Sequence, residues 1–261
     1  MKKLLLPMSI LGSVMVFAQL SAGIVAVSEQ QYGQNSSDQT THTLYIDKTR
    51  VREDVKGSSR DLSIIYIKET SRLYLIDHQE NTLTEFTPDD VKRIKAARAR
   101  SIEGLKKSLS TMPTVGKKNM DKVMKQVRSL AENSALSGTF TASGSEPING
   151  WSASHYMSQP SGGLRHDLWT VDLASLGMTQ EQVGLLKNLS DALALPAAYG
   201  AWYTLAADSQ SSLGYTGIPV KRTRTQAGQM VFREEVKQVR EQALEESLFV
   251  VPSNLKKVEF K

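Results

Sequence analysis

Between Leu44 and Phe86, apolar and polar positions alternate in short runs separated by turn-forming clusters. The pattern predicts five strands: Leu44 to Asp47, Arg50 to Val55, Leu62 to Lys68, Arg72 to Asp77 and Thr82 to Phe86. Lys-Gly-Ser-Ser (56–59), Glu-Thr-Ser (69–71) and His-Gln-Glu-Asn (78–81) punctuate them, which is the spacing of a β-meander. In the third strand Leu62, Ile64 and Tyr66 fall on one face, and Ile65 and Ile67 on the other. The fourth repeats this, with Leu73 and Leu75 opposite Tyr74 and Ile76. Strands apolar on both faces are covered on both. In an antiparallel sheet that implies a curled barrel, or helices lying across it.

The period then changes. Thr87 can cap a helix, Pro88 fits its first position, and Asp89 and Asp90 suit the positive end of its dipole. Val91, Ile94, Ile102, Leu105 and Leu109 largely follow one face as far as Met112-Pro113. A second helix from about Lys117 carries Met120, Val123, Met124, Val127, Leu130 and Ala131. The helical segment expected is 88–133. From Gly138 strands return, with a hairpin of 150–157 and 163–172 around Gln159-Pro160-Ser161-Gly162. Thr179 and Gln182 form a capping box and Met178 and Val183 a hydrophobic staple, so a helical segment over 179–207 follows, with a break near Pro196. Strands are expected again over 215–225, 230–240, 249–252 and 255–260. The charged residues of that hairpin, among them Lys221, Arg222, Arg224, Arg233, Glu234 and Glu235, predict cross-strand ion pairs on a wet face.

The N-terminus changes the picture of where the protein works. Lys2 and Lys3 precede an apolar run from Leu4 to Phe17, followed by small residues. This reads as a secretory signal peptide over 1–26, cut after Ala18 or near Ala22 to Ala26. An apolar segment extended to Val27 would be long enough for an anchor. Residues 27–40 are polar and read as a flexible leader, leaving one domain over 41–261. There is no cysteine, hence no disulfide, no thiolate metal site and no lipidated N-terminal cysteine. The formal net charge of +5 falls to +3 once Lys2 and Lys3 are removed. Twelve Lys or Arg stand against five Asp or Glu between Asp89 and Glu132, so the rest of the chain is net acidic. Lys92, Arg93, Lys117, Lys118, Lys122 and Lys125 make the outer side of the helical pair basic, either as a solvated face or as a surface for an anionic membrane. Nucleic acid is not expected as a partner of an exported chain.

Candidate chemistry is sparse. No Gly-x-Ser-x-Gly occurs, no phosphate-cradling glycine loop, and His42, His78, His155 and His166 show no metal-ligand spacing. His166 and Asp167 are adjacent in a strand and point to opposite faces. No catalytic residue, metal ligand or cofactor is assigned, and no enzymatic activity is expected. Ile64, Tyr66, Leu75, Trp151, Trp169, Trp202, Met120 and Met124 are the candidates for lining an apolar cavity, or else ordinary core.

Several stretches resemble secreted bacterial proteins akin to the periplasmic lipoprotein carriers of the LolA and LolB type. They are Ile64-Ile65-Tyr66, Leu73 to Asp77, Trp151 to Tyr156, Asp167 to Thr170, Gly217 to Val220 and Ser247 to Pro252. The resemblance covers about 41–260. It implies an α+β fold, a half-open antiparallel β-barrel of about 10–11 strands with helices covering the concave face. It further implies a periplasmic protein holding an acyl chain or lipoprotein lipid in that face. The carriers latch their lid with an arginine; Arg50 and Arg52 lie in an early strand, but no surrounding motif singles out either. The alternative is an envelope protein-interaction or stress-sensing module without a small ligand.

Overall fold

The computed structural model describes residues 20–33, 39–58, 60–97, 100, 139–159, 163–193 and 213–259. They build one open sheet of twelve strands. The chain enters in its middle with β1 (Leu20–Tyr32) and steps outward through β2 (Gln39–Ile46), β3 (Arg50–Gly57), β4 (Arg60–Ile67), β5 (Arg72–Asp77) and β6 (Thr82–Phe86). It re-enters at the far edge with β7 (Thr141–Ile148) and steps inward through β8 (Trp151–Ser158), β9 (Leu164–Val171), β10 (Ile218–Gln226) and β11 (Gln229–Glu245), which pairs with β1. Every pairing is antiparallel except that of the two-residue β12 (Lys256–Lys257), which runs parallel to β6. The sheet ends at β7 on one side and β12 on the other, so the barrel is half open.

Two helices follow their sequence signals. In α1 (88–97) the Thr87 hydroxyl accepts from the Asp90 amide at 3.2 Å, and Asp90 accepts from the Thr87 amide at 2.8 Å. The hydrogen bonds from Thr87 and then Arg93 hold the Asp90 carboxyl down at about 2. In α2 (Gln180–Leu193) the same reciprocal box links Thr179 and Gln182 at 2.8 and 3.3 Å. Among the described residues no helix is long and apolar enough to cross a membrane.

The two-faced strands are covered on both sides as their pattern demands. Ile64, Tyr66 and Leu73 join the main core with Ile24, Leu44, Ile46 and Leu185, Leu186 and Leu189 of α2. Ile65 and Ile76 pack on the opposite side with Leu83, Val251 and Leu255 of the C-terminal segment.

Several expectations are corrected. Residues 27–32, expected in a polar leader, form the second half of β1, which is hydrogen-bonded to both β11 and β2. A Cβ on Gly23 would lie 2.3 Å from Leu244 Cδ1 and 2.5 Å from the Ile46 carbonyl, so the three strands close around a glycine there. Among the described residues the sheet has twelve strands, two of them, β1 and β7, unforeseen. In place of a strand from Phe249 to Pro252, a 3-10 turn spans Glu246–Phe249, and the last expected strand is reduced to β12. The helical expectations beyond 97 in the first segment and beyond Leu193 in the second lie largely outside the described residues.

Candidate functional site: an apolar face with a charged end

Alternate residues of a strand share a face, and so do directly paired residues of neighbouring strands. On β1, Ile24, Ala26, Ser28 and Gln30 therefore line one face, paired to Ile46, Leu44, His42 and Thr40 of β2. On β3 the same face carries Val51, Glu53 and Val55, and on β4 Tyr66 and Ile64. Apolar residues gather at one end of this face and polar residues at the other.

The apolar end lies under α2, which packs over β3 and β5 and buries Leu185, Leu186 and Leu189 to 2% exposure or less. An open groove of about 550 Å³ runs beside the start of α2 and reaches Ile24, lined further by Leu20, Lys48, Gln182 and Glu241.

At the polar end, Gln30 pairs with Glu234, Glu234 with Arg222, and Arg224 with Phe232. Glu234 accepts from Arg222 Nε at 2.6 Å and from Gln30 Nε2 at 3.0 Å. The Phe232 ring lies under both guanidinium groups, 4.6 Å from Arg222 and 5.6 Å from Arg224. Beside them His42 Nδ1 meets Glu53 Oε1 at 2.8 Å. All these charges are buried; Arg222 is 8% exposed and Glu234 4%. The expected cross-strand ion pair is present, but its face is dry.

Electrostatics follow from the burial. Desolvation, and then the charge of Arg222, lowers the Arg224 pKa. Desolvation first, then Arg224 and Arg222, pushes the His166 imidazole down to about 4. A folded pKa below the unfolded value of 6.5 means that acid protonates the unfolded chain first. His166 should therefore subtract about 3 kcal/mol of stability, progressively, as pH falls from 6.5 to 4. Urea melts across that window are expected to show the slope in the parent and its loss in His166→Gln.

The other polar clusters are bound up in the scaffold. On the side facing the C-terminal segment, Ser63 Oγ donates to Asp54 at 2.6 Å, accepts from Arg52 at 3.0 Å and lies 2.7 Å from His78 Nε2. No motif announced this serine–histidine contact, because the two residues meet only through the pairing of β4 and β5. Ser63 is 1% exposed, and its hydroxyl proton is directed to Asp54. Arg52 also donates to the Leu248 carbonyl at 2.8 Å, while Arg50 lies 4.6 Å from the Phe249 ring. Both arginines hold the C-terminal 3-10 turn.

Of the predicted cavity residues, Ile64, Tyr66 and Trp169 are buried in the main core, with Leu75 and Trp151 packed against it. Trp169 stacks on His155 at 4.5 Å and has Lys221 Nζ 4.2 Å from its ring. Trp202, Met120 and Met124 lie outside the described residues, as do Lys117, Lys118, Lys122 and Lys125. Lys92 and Arg93 are exposed and paired along α1 with Asp89 and Asp90. His155 and Arg165 both bond Asp167, whereas His166 is paired with Arg224 on the opposite face. Among the described residues no group of three His, Asp or Glu side chains could hold a metal ion.

An open antiparallel half-barrel with helices on its concave face, and with an apolar and a charged end to that face, defines the architectural class. The chain belongs to the DUF4412 family, a domain of unknown function, whose model matches residues 95–255. No match to a curated protein is found. Among solved structures, an uncharacterized conserved protein from Thermus thermophilus is 8% identical, with 92% of this chain and 91% of that one covered and a TM-score of 0.43. MucB in the MucA/MucB complex of Pseudomonas aeruginosa is 10% identical over 91% of this chain and 58% of that one, with a TM-score of 0.40. PNGF-II is 9% identical over 92% and 32%, with a TM-score of 0.36. Likenesses this slight assign no function to the chain.

Proposed function

We propose that this protein is an exported, non-enzymatic binding protein that holds an apolar group, an acyl chain or lipoprotein lipid, on the concave face of its half-barrel. The observation that carries the reading is the apolar floor of Ile24, Leu44, Ile46, Ile64 and Leu73, with α2 laid across it and a groove leading to Ile24. Exchanging α2 leucines for an acyl chain keeps the floor dry, at roughly 0.8 kcal/mol for each methylene buried. The resemblance to the LolA and LolB carriers agrees with this use of the fold. Native mass spectra of detergent-free protein, before and after organic extraction, test it. A bound mass that extracts as lipid is the expected result; an apo mass with no uptake of a fluorescent fatty acid would overturn it.

The proposed compartment is the periplasm. Cleavage after Ala18 leaves β1 whole, whereas cleavage near Ala26 removes half of the strand between β11 and β2. N-terminal sequencing of the mature protein should start at Gln19, and a start at Val27 would contradict the sheet.

A second reading, docking of an envelope protein, has its own observation. β7 ends the sheet, seven of its eight residues are exposed, and an extended peptide can add to such an edge. Crosslinks mapping to 141–148 in lipid-free protein would favour it.

A further inference from the structure

We infer that the groove beside the start of α2 is the mouth of the concave face and takes the zwitterionic head of a single-chain amphiphile, its ammonium on Glu181 and Glu241 and its phosphate on Lys48. The inference rests on the apolar-ligand reading and adds the ligand's chemical class and the end by which it is held.

The register explains why a groove stands there. Leu20, Ala22 and Ile24 share the concave face of β1 and are paired with Glu245, Ala243 and Glu241 of β11. Where Ala22 meets Ala243, two methyl groups stand in place of bulkier side chains, and the space they leave is open to solvent. Ile24 lies in one row with Ile46 of β2 and Glu241 of β11, so the groove opens onto the apolar floor. At about 550 Å³ it falls within the roughly 300–1,000 Å³ of small-molecule sites.

Its charges come from three separate elements. Glu241 reaches over the floor from β11, and a Cβ on Gly177, in the turn before α2, would lie 3.6 Å from its Oε1. Glu181 stands in the first turn of α2, and Lys48 in the turn between β2 and β3. These are the charged side chains of the lining, and all three are exposed. Among the described residues none of them has a hydrogen bond or an ion pair. The polar groups around them are engaged: Asp47 holds Arg50, Glu245 accepts from Ser247 at 3.1 Å, and Thr179 and Gln182 close the capping box. Two carboxylates against one ammonium leave the mouth net negative, which favours a ligand cation, and Lys48 provides for an anion beside it. A phosphoethanolamine head carries both charges a few bonds apart. A fatty acid brings only the negative one.

Displacement of a fluorescent fatty acid from the purified mature protein tests the inference, with lysophosphatidylethanolamine, lysophosphatidic acid and monoacylglycerol of one chain length as competitors. Lysophosphatidylethanolamine is expected to bind about fivefold tighter than either, the upper end for one solvated ion pair. In Glu181→Gln combined with Glu241→Gln the margin over lysophosphatidic acid should fall below about twofold, and in Lys48→Met the margin over monoacylglycerol should shrink likewise. All three positions are exposed, so the variants are expected to fold as the parent does. Ala243→Leu, which fills the groove and leaves the charges in place, should weaken all three lipids about tenfold. Equal affinity for the three would overturn the charged mouth and leave the apolar reading standing. Failure of all three and of the fatty acid overturns both. Tighter binding of lysophosphatidic acid, or a margin that survives in the double glutamine variant, would place the ammonium elsewhere, and the assignment would fail. Displacement by free phosphoethanolamine at the same concentration would overturn the amphiphile, and unchanged binding in Ala243→Leu would overturn the groove.

Discussion

Glu234→Ala is expected to lower the stability of this protein by about 3–5 kcal/mol, because it leaves a buried guanidinium without its carboxylate. Glu234 is 4% exposed and bonds Arg222 at 2.6 Å and Gln30 at 3.0 Å, so both donors lose their acceptor in a place that water does not reach. The change should appear as a fall in the urea midpoint at unchanged m-value. Glu234→Leu combined with Arg222→Met removes both charges and is expected to recover most of the loss, since a buried pair is costly to break but cheap to replace as a whole. A single substitution costing under about 1 kcal/mol would show that solvent enters the cluster, and the dry charged end would have to be abandoned.

The second large effect is expected at the other end of the same face. Leu189 is fully buried between α2 and the apolar floor, and Leu189→Ala should cost about 2–5 kcal/mol through lost burial and the cavity it leaves. Leu189→Met, nearly equal in volume, should cost less than about 1.5 kcal/mol. The pair separates packing from ligand binding. If α2 gives way to an acyl chain, weakening its hold makes the floor easier to reach, and Leu189→Ala should take up a fluorescent fatty acid more tightly than the parent. Unchanged uptake beside a clear loss of stability would make α2 a permanent part of the core.

The two sites differ in how far the sequence revealed them. The leucines of α2 announce themselves: the 3.6-residue period, the Thr179–Gln182 box and the Met178–Val183 staple are all local signals, and in the structure the box forms while Met178, Val183 and the leucines all join the main core. The charged end did not announce itself. Arg222, Arg224 and Glu234 in a hairpin read as a wet ladder, because the sequence does not show that Gln30, more than two hundred residues away, pairs with Glu234 and closes the face. β1 was hidden for a related reason. Its apolar half, Leu20 to Val27, continues a hydrophobic run that reads in sequence as an export signal, and its polar half, with Ser28 and Gln30, has the composition of a mobile segment. Both halves become a strand only because β11 and β2 supply their hydrogen-bond partners.

By itself the sequence determined whatever depends on near neighbours: the meander from β2 to β6, its two-faced apolar strands, the hairpin of β8 and β9, and the starts of α1 and α2. Alternation, turn residues and caps act over a few positions, and those forces are present before the chain folds. The tertiary structure alone decided the central place of β1, the turn held under Arg50 and Arg52, and the division of the concave face into a dry apolar end and a dry charged one. Each depends on burial and pairing between distant segments, and whether a polar side chain is solvated or enclosed is fixed only when the sheet closes over it.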